Sequence, residues 1–246
     1  MSALTKLTAT ETRLFLREPI VVFFAVAFAP ILLIILGLIP SMREPVADLG
    51  GVRMIDVYLP IVVAMGIALF ALSGLSQLFA SYREKGVLRR LRTTPVKPAT
   101  MISAQLLMAT IMSIITLIVM LAIGKAAFDV DLPGQIPGYL ITYLLVALAM
   151  FAIGLLVAAL APSSRSASAV GSLVFFPLIF FAGLWLPRAA MNDTLRTISD
   201  LTPLGAGVQA LQDATGGQWP QAMHLVVLLA WIIAAGALAA RYFRWE

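Results

Sequence analysis

The chain of 246 residues contains no cysteine, so disulfide frameworks, thiolate catalysis and thiolate-bound metals are excluded. Charge is scarce as well: only 12% of residues are Asp, Glu, Lys or Arg, against about 25% in an ordinary soluble domain. There is a single histidine, His224, read as an interfacial residue without a chemical role, and no cluster spaced to hold a metal. The phosphate-binding string G-x-x-x-x-G-K-[ST] occurs nowhere, which argues against ATP binding and hydrolysis in the P-loop manner by this polypeptide.

What the sequence has instead is apolar mass, 61% of its residues. It falls into six runs whose lengths suit a bilayer about 30 Å thick: 20–39, 57–79, 101–123, 138–161, 168–186 and 222–240. None of the six contains Asp, Glu, Lys or Arg. Pro40, Gly50, Gly51, Pro95, Pro98, Pro133, Gly134, Pro162, Pro187, Gly216 and Gly217 punctuate the connections. The pattern predicts an all-α membrane protein of six transmembrane helices, with no soluble domain large enough to fold alone. Lys6, Glu11, Arg13, Arg17, Glu18 and Pro19 precede the first run, unlike the layout of a cleavable signal, so the first span is expected to be retained.

With six spans both termini share one side. If that side is cytoplasmic, it holds Lys6, Arg13, Arg17, Arg83, Lys85, Arg89, Arg90, Arg92, Lys97, Arg165, Arg241 and Arg244 of the 17 basic residues. The other side holds Arg43, Arg53, Lys125, Arg188 and Arg196 beside Glu44, Asp48, Asp56, Asp129, Asp131, Asp193, Asp200 and Asp213. This asymmetry predicts cytoplasmic termini in a bacterial inner membrane. It also accounts for the net charge of +5 without invoking nucleic acid.

Three polar segments carry the expected mechanism. Leu4, Leu7, Leu14 and Phe15 recur at near-helical spacing among Lys6, Arg13 and Arg17, which predicts an N-terminal helix in the headgroup layer; Glu11 interrupts its apolar stripe, and a basic tail is the other reading. In Tyr82-Arg83-Glu84-Lys85-Gly86-Val87-Leu88-Arg89-Arg90-Leu91-Arg92-Thr93-Thr94-Pro95, the residues Val87, Leu88 and Leu91 fall on one helical face, flanked by arginines and stopped by Pro95. Such a helix fits a groove on a cytoplasmic partner, and the plainer reading is a positive-inside loop. Between the fifth and sixth runs, Pro203, Gly205, Gly207, Gly216 and Gly217 suit irregular backbone that survives at membrane depth only when buried in protein.

The string Arg83 to Pro95 resembles the loop after the second span of ABC-2 type permeases. Thr12-Arg13-Leu14-Phe15-Leu16-Arg17-Glu18-Pro19 resembles that family's entry to the first span. Phe176-Pro177-Leu178, Gly183 to Pro187, Leu201-Thr202-Pro203-Leu204 and Val208 to Leu211 resemble its fifth span and the segment after it.

The resemblance, over nearly the whole chain, implies one ABC-2 type transmembrane domain over residues 1–246, exporting drugs, antibiotics, lipids or glycans. It implies dimerisation with a second copy or a paralogue, and a separate ATPase subunit that supplies ATP and Mg. The ATPase would couple through Glu84, Lys85, Gly86, Val87, Leu88, Arg89, Arg90, Leu91, Arg92 and Thr93, and Met191 to Gly217 would be re-entrant helices on the external side. It also implies that the second and fifth spans line the pathway, placing Met65, Leu69 and Ser73 across from Phe176, Phe180 and Leu184. Intramembrane polar groups such as Ser76, Gln77, Gln105, Thr110, Ser113, Thr116, Thr142 and Tyr143 are expected to stitch helices together. Two other classes stay open: an ion- or proton-coupled transporter or channel, disfavoured by the absence of ionisable groups from the runs, and a noncatalytic anchoring protein.

Overall fold

A computed structural model of the chain describes residues 3–47, 51–87 and 98–242. Among these residues the chain is all-helical, with no β-structure beyond a single bridge between Pro45 and Arg53. We label the helices α1 (Ala3–Leu16), α2 (Pro19–Leu38), α3 (Met54–Glu84), α4 (Pro98–Phe128), α5 (Ile136–Leu160), α6 (Ser164–Phe181), α7 (Asp193–Leu201), α8 (Pro203–Thr215) and α9 (Ala222–Tyr242). Six of them, α2 to α6 and α9, are long and apolar enough to cross a membrane.

The six are not equivalent. Within their most apolar windows 78% of the α3 residues and 61% of the α5 residues are buried, against 17–33% in the other four, so α3 and α5 form the centre and the others surround them. The outer helices turn apolar stripes outward, such as Leu107, Ile111, Ile115 and Ile118 on α4 and Val226, Leu229 and Ile233 on α9. Water would penalise such stripes, and lipid does not.

Two helices carry a wider π-turn. In α2 it covers Phe23–Ala27, beside Pro30, which lacks the N–H that an α-helix would donate to Val26. In α3 it covers Phe70–Leu75, and there the neighbours come unusually close. A Cβ on Gly154 of α5 would overlap the Ala71 carbonyl oxygen, and one on Gly171 of α6 would overlap that of Leu72. The bulged helix is therefore gripped from two sides at its widest point.

The fifth span differs from the run 168–186. Its helix starts at Ser164, where Ser163 and Ser166 form a reciprocal capping box, and ends at Phe181, because Gly183 takes a φ of +93°. The serine-rich first turn is too polar for a hydropathy window to include. The second span likewise runs past Phe79 through Glu84, continuing as an amphipathic helix.

α7 and α8 form a short helical hairpin. Asn192 and Thr202 cap their starts, accepting from the Leu195 and Gly205 amides at 2.9 and 3.1 Å. α8 is buried nearly all round, against α3, α5, α6 and α9. Its end meets the start of α5, where the Gln135 amide donates to the Ala214 carbonyl at 2.9 Å, while Gly207 lies against Val146. From Gln135 to Val146 is about 16 Å of helix at 1.5 Å per residue, so α8 lies alongside nearly the first half of α5.

Candidate functional site

The end of the bundle that carries α1 holds a buried carboxylate. Thr8, Glu11 and Phe15 form the inward face of α1, which packs along α4. Glu11 is only 6% exposed. Its Oε2 accepts from the Tyr82 hydroxyl of α3 at 2.7 Å and from the Gln105 side-chain amide of α4. Burial pushes its carboxyl above the usual range, while the two hydrogen bonds pull the other way. Among the described residues no Lys, Arg or His lies within ion-pair distance of it. The apolar stripe expected for α1 is divided accordingly: Phe15 is buried against Phe70, with ring centroids 5.6 Å apart, and Leu14 is exposed.

Glu11 lines a chamber of about 530 Å³ bounded by α1, the start of α2 and the last turns of α3. A second chamber of about 300 Å³, lined by Phe24, Leu69, Ser73 and Ser168 among others, adjoins it through Val21, Phe70, Gly74 and Gln77. Together they form a groove along the π-turn of α3. Their sizes lie in the range of small-molecule sites, roughly 300–1,000 Å³.

Contacts between α3 and α6 set an antiparallel register: Glu84 with Ser164 at 2.8 Å, Leu72 with Gly171, and the Tyr58 hydroxyl donating to the Leu184 carbonyl at 3.2 Å. On this frame Leu69 and Ser73 open together onto the groove, and Met65 is buried in the core. Phe176, 55% exposed, stacks on Trp185 at 6.0 Å, and Phe180 meets Phe181 edge-on. Leu184 reaches α3 through its backbone.

Of the residues expected to couple to a partner, Glu84, Lys85, Gly86 and Val87 are described, and Leu88, Arg89, Arg90, Leu91, Arg92 and Thr93 lie outside the described residues. The end of α3 is already engaged within the chain. The Arg83 guanidinium donates to the Ala159 carbonyl at 3.4 Å and to that of Ala161, capping α5, while Glu84 accepts from Ser164 at the start of α6. The ends of three helices are thereby joined.

The polar groups of α4 stitch less than their number implies. Thr110, Ser113 and Thr116 donate back to carbonyls of their own helix, and the cross-helix links are the Tyr143 hydroxyl to the Ser113 carbonyl at 2.6 Å and Gln105 to Glu11.

At the opposite end, Arg188 grips Asp200 of α7 with both guanidinium nitrogens, at 2.5 and 2.8 Å. His224, expected at the interface where the last run begins, stands at the start of α9 and is buried against protein there, with Nε2 3.4 Å from the same carboxylate. The Trp231 indole donates to the Leu201 carbonyl at 2.9 Å, so α9 holds the hairpin at two levels. Asp200 and His224 stand in separate segments, and no local pattern announced the pairing.

A bundle of six apolar helices, with a capped hairpin packed among them at one end and a drug-sized groove at the other, defines a multi-pass membrane protein. The family model for the ABC-2 type transporter matches residues 2–215, and the chain belongs to that family. Its members are the membrane subunit of an ABC transporter, a permease that is not itself catalytic and that works with an ATP-binding subunit in an oligomer. No curated protein matches the chain.

Proposed function

We propose that the chain is the permease subunit of a bacterial ABC exporter that moves an amphipathic or apolar cargo, of drug, antibiotic or lipid-like character, out of the cell. A separate ATPase, carrying ATP and Mg, drives it from the cytoplasmic side, where both termini of this inner-membrane protein lie. A second permease, a copy or a paralogue, completes the pathway. In this reading α1 lies in the headgroup layer, the segment around Leu88 and Leu91 is the coupling helix, and α7 and α8 are re-entrant on the external side. Leu69 and Ser73 on α3 face Phe176, Phe180 and Leu184 of the fifth span across the cargo pathway.

The observation that supports the cargo class is the groove beside Leu69 and Ser73. The described lining of the chamber at that level is apolar with isolated hydroxyl and amide groups, Ser73, Ser168 and Gln77, which suits an amphipath.

The test is ATP-dependent uptake into inverted membrane vesicles. The chain alone should show neither ATPase activity nor uptake, and both should appear when the ATPase subunit is co-expressed. Each apolar anchor is worth about 1.5–3 kcal/mol on burial, and a buried charge adds a further penalty, so Leu88→Asp with Leu91→Asp should weaken docking by orders of magnitude. The double variant should accumulate normally in the membrane yet neither co-purify with the ATPase nor transport. Wild-type transport by it would reduce this segment to a positive-inside anchor.

A further inference from the structure

The chamber at the α1 end has a property that the export reading does not require: among the described residues, the single buried carboxyl in its wall has no counter-charge within ion-pair distance. Arg17, Glu18 and Lys85 also line it, but all three are exposed, where water and salt screen them. Among the described residues that line the chamber, Glu11 is the one ionisable group that is buried. Both of its hydrogen bonds fall on Oε2, and among the described residues Oε1 accepts none. A carboxylate so placed is costly to keep ionised without a partner, and a cation delivered to it relieves that cost. Beside it stand Phe15, Phe70 and Tyr82, whose ring faces attract onium cations, and Leu75, Leu78 and Met108 supply apolar wall.

We infer that this chamber is a binding site for a cationic amphiphile, with the cation at Glu11 and the apolar body along α3. This rests on the export reading only in calling the bound cation cargo; the binding itself does not. The same chemistry arrives from two sources, a free lipophilic cation or the ammonium head of a membrane lipid.

The probe is tetraphenylphosphonium, a permanent lipophilic cation, titrated into the full chain in neutral maltoside micelles, with empty micelles as background. Saturable binding is expected, with tetraphenylborate, its anionic counterpart, failing to compete. Glu11→Gln, which retains an oxygen for Tyr82 and Gln105, should bind at least about tenfold more weakly, the loss of one charge-assisted contact. In wild type the affinity should rise with pH through the Glu11 titration, because the cation competes with a proton, and binding should release that proton into a weakly buffered solution. Lys125→Ala, at the opposite end of α4 from Gln105, should not weaken binding. Added phosphatidylethanolamine displaces the probe if a lipid ammonium is the natural occupant, and leaves it in place if a free cation is. Equal affinity of wild type and Glu11→Gln, or competition by tetraphenylborate, would overturn the assignment, and the wild-type pH dependence decides it even where the variant folds poorly. The assay contains no ATPase and no transport, so its failure leaves the export reading standing.

Discussion

At the scale of single residues the most consequential finding is that Glu11, which breaks the apolar stripe of α1 in sequence, is the residue that fastens α1 to α3 and α4. The acid is held above its ordinary carboxylate range by burial. The folded chain therefore keeps a proton that the unfolded chain has lost. Its stabilising contribution is complete below the unfolded value of about 4.5 and is lost as pH rises through the raised folded value. Thermal unfolding followed from about pH 4 to pH 8 should show the wild-type midpoint falling relative to Glu11→Gln. Parallel curves would mean that the buried carboxyl carries no such linkage. Glycine matters at two positions for a different reason. Gly154 and Gly171 face carbonyl oxygens of the π-turn, and backbone cannot retreat as a flexible side chain can. Gly171→Val should cost about 1–3 kcal/mol or more by overpacking, read as a lowered unfolding temperature in detergent. Valine at Gly236, where an added Cβ meets nothing, should be nearly silent by comparison.

At the scale of elements, the hairpin of α7 and α8 depends on one carboxylate. Asp200 is more enclosed than its partner Arg188, so removing the arginine leaves the acid, among the described residues, with His224 alone within ion-pair distance. Arg188→Gln should destabilise the hairpin by roughly 1–2 kcal/mol, discounted from a fully buried pair because the arginine retains partial exposure. The measurement is protease cleavage between residues 188 and 203, expected to quicken well before the six long helices unfold. An unchanged cleavage rate would show that the Trp231 indole's bond to Leu201 and the Ser199 hydroxyl's bond to the Phe181 carbonyl, at 2.7 Å, suffice. How much of these elements the sequence announces follows from the physics of each. Long apolar runs are legible because about 20 residues without charge have few solutions other than a span. Ends were less legible: Ser164 begins α6 through a local serine capping box, and α3 continues to Glu84 after its hydropathy has faded. The site was least legible. Glu11 is 71 residues from Tyr82 and 94 from Gln105, and no periodicity links partners that far apart. The available signal was an acid at the i+3 position from Thr8 and four residues before Phe15, on the face that turns inward.

For the whole molecule, the absence of native cysteine makes orientation directly measurable. Ser41→Cys and Asn192→Cys should react with an impermeant maleimide in intact cells, and Thr94→Cys only after the membrane is opened. Labelling of Thr94→Cys from outside would invert the proposed arrangement of the bundle. The concentration of burial in α3 and α5 has a corollary for sequence tolerance. Apolar swaps on the outward stripes of α4 and α9 exchange one lipid contact for another, and should be silent in the same unfolding assay that detects Gly171→Val.

The clamp at the end of α3 has a mechanical consequence. Twelve residues separate Leu72 in the π-turn from Glu84, roughly 18 Å of helix. The π-turn is the place where the regular hydrogen-bond ladder is interrupted, so it is the natural fulcrum, and the stretch below it is a moment arm. A bend of about 10° there carries Glu84 sideways by about 3 Å over that length. Because Arg83 caps α5 and Glu84 holds the start of α6, that displacement is not α3's alone: the feet of three helices swing together, and the turn between α5 and α6 has to move as one piece with them.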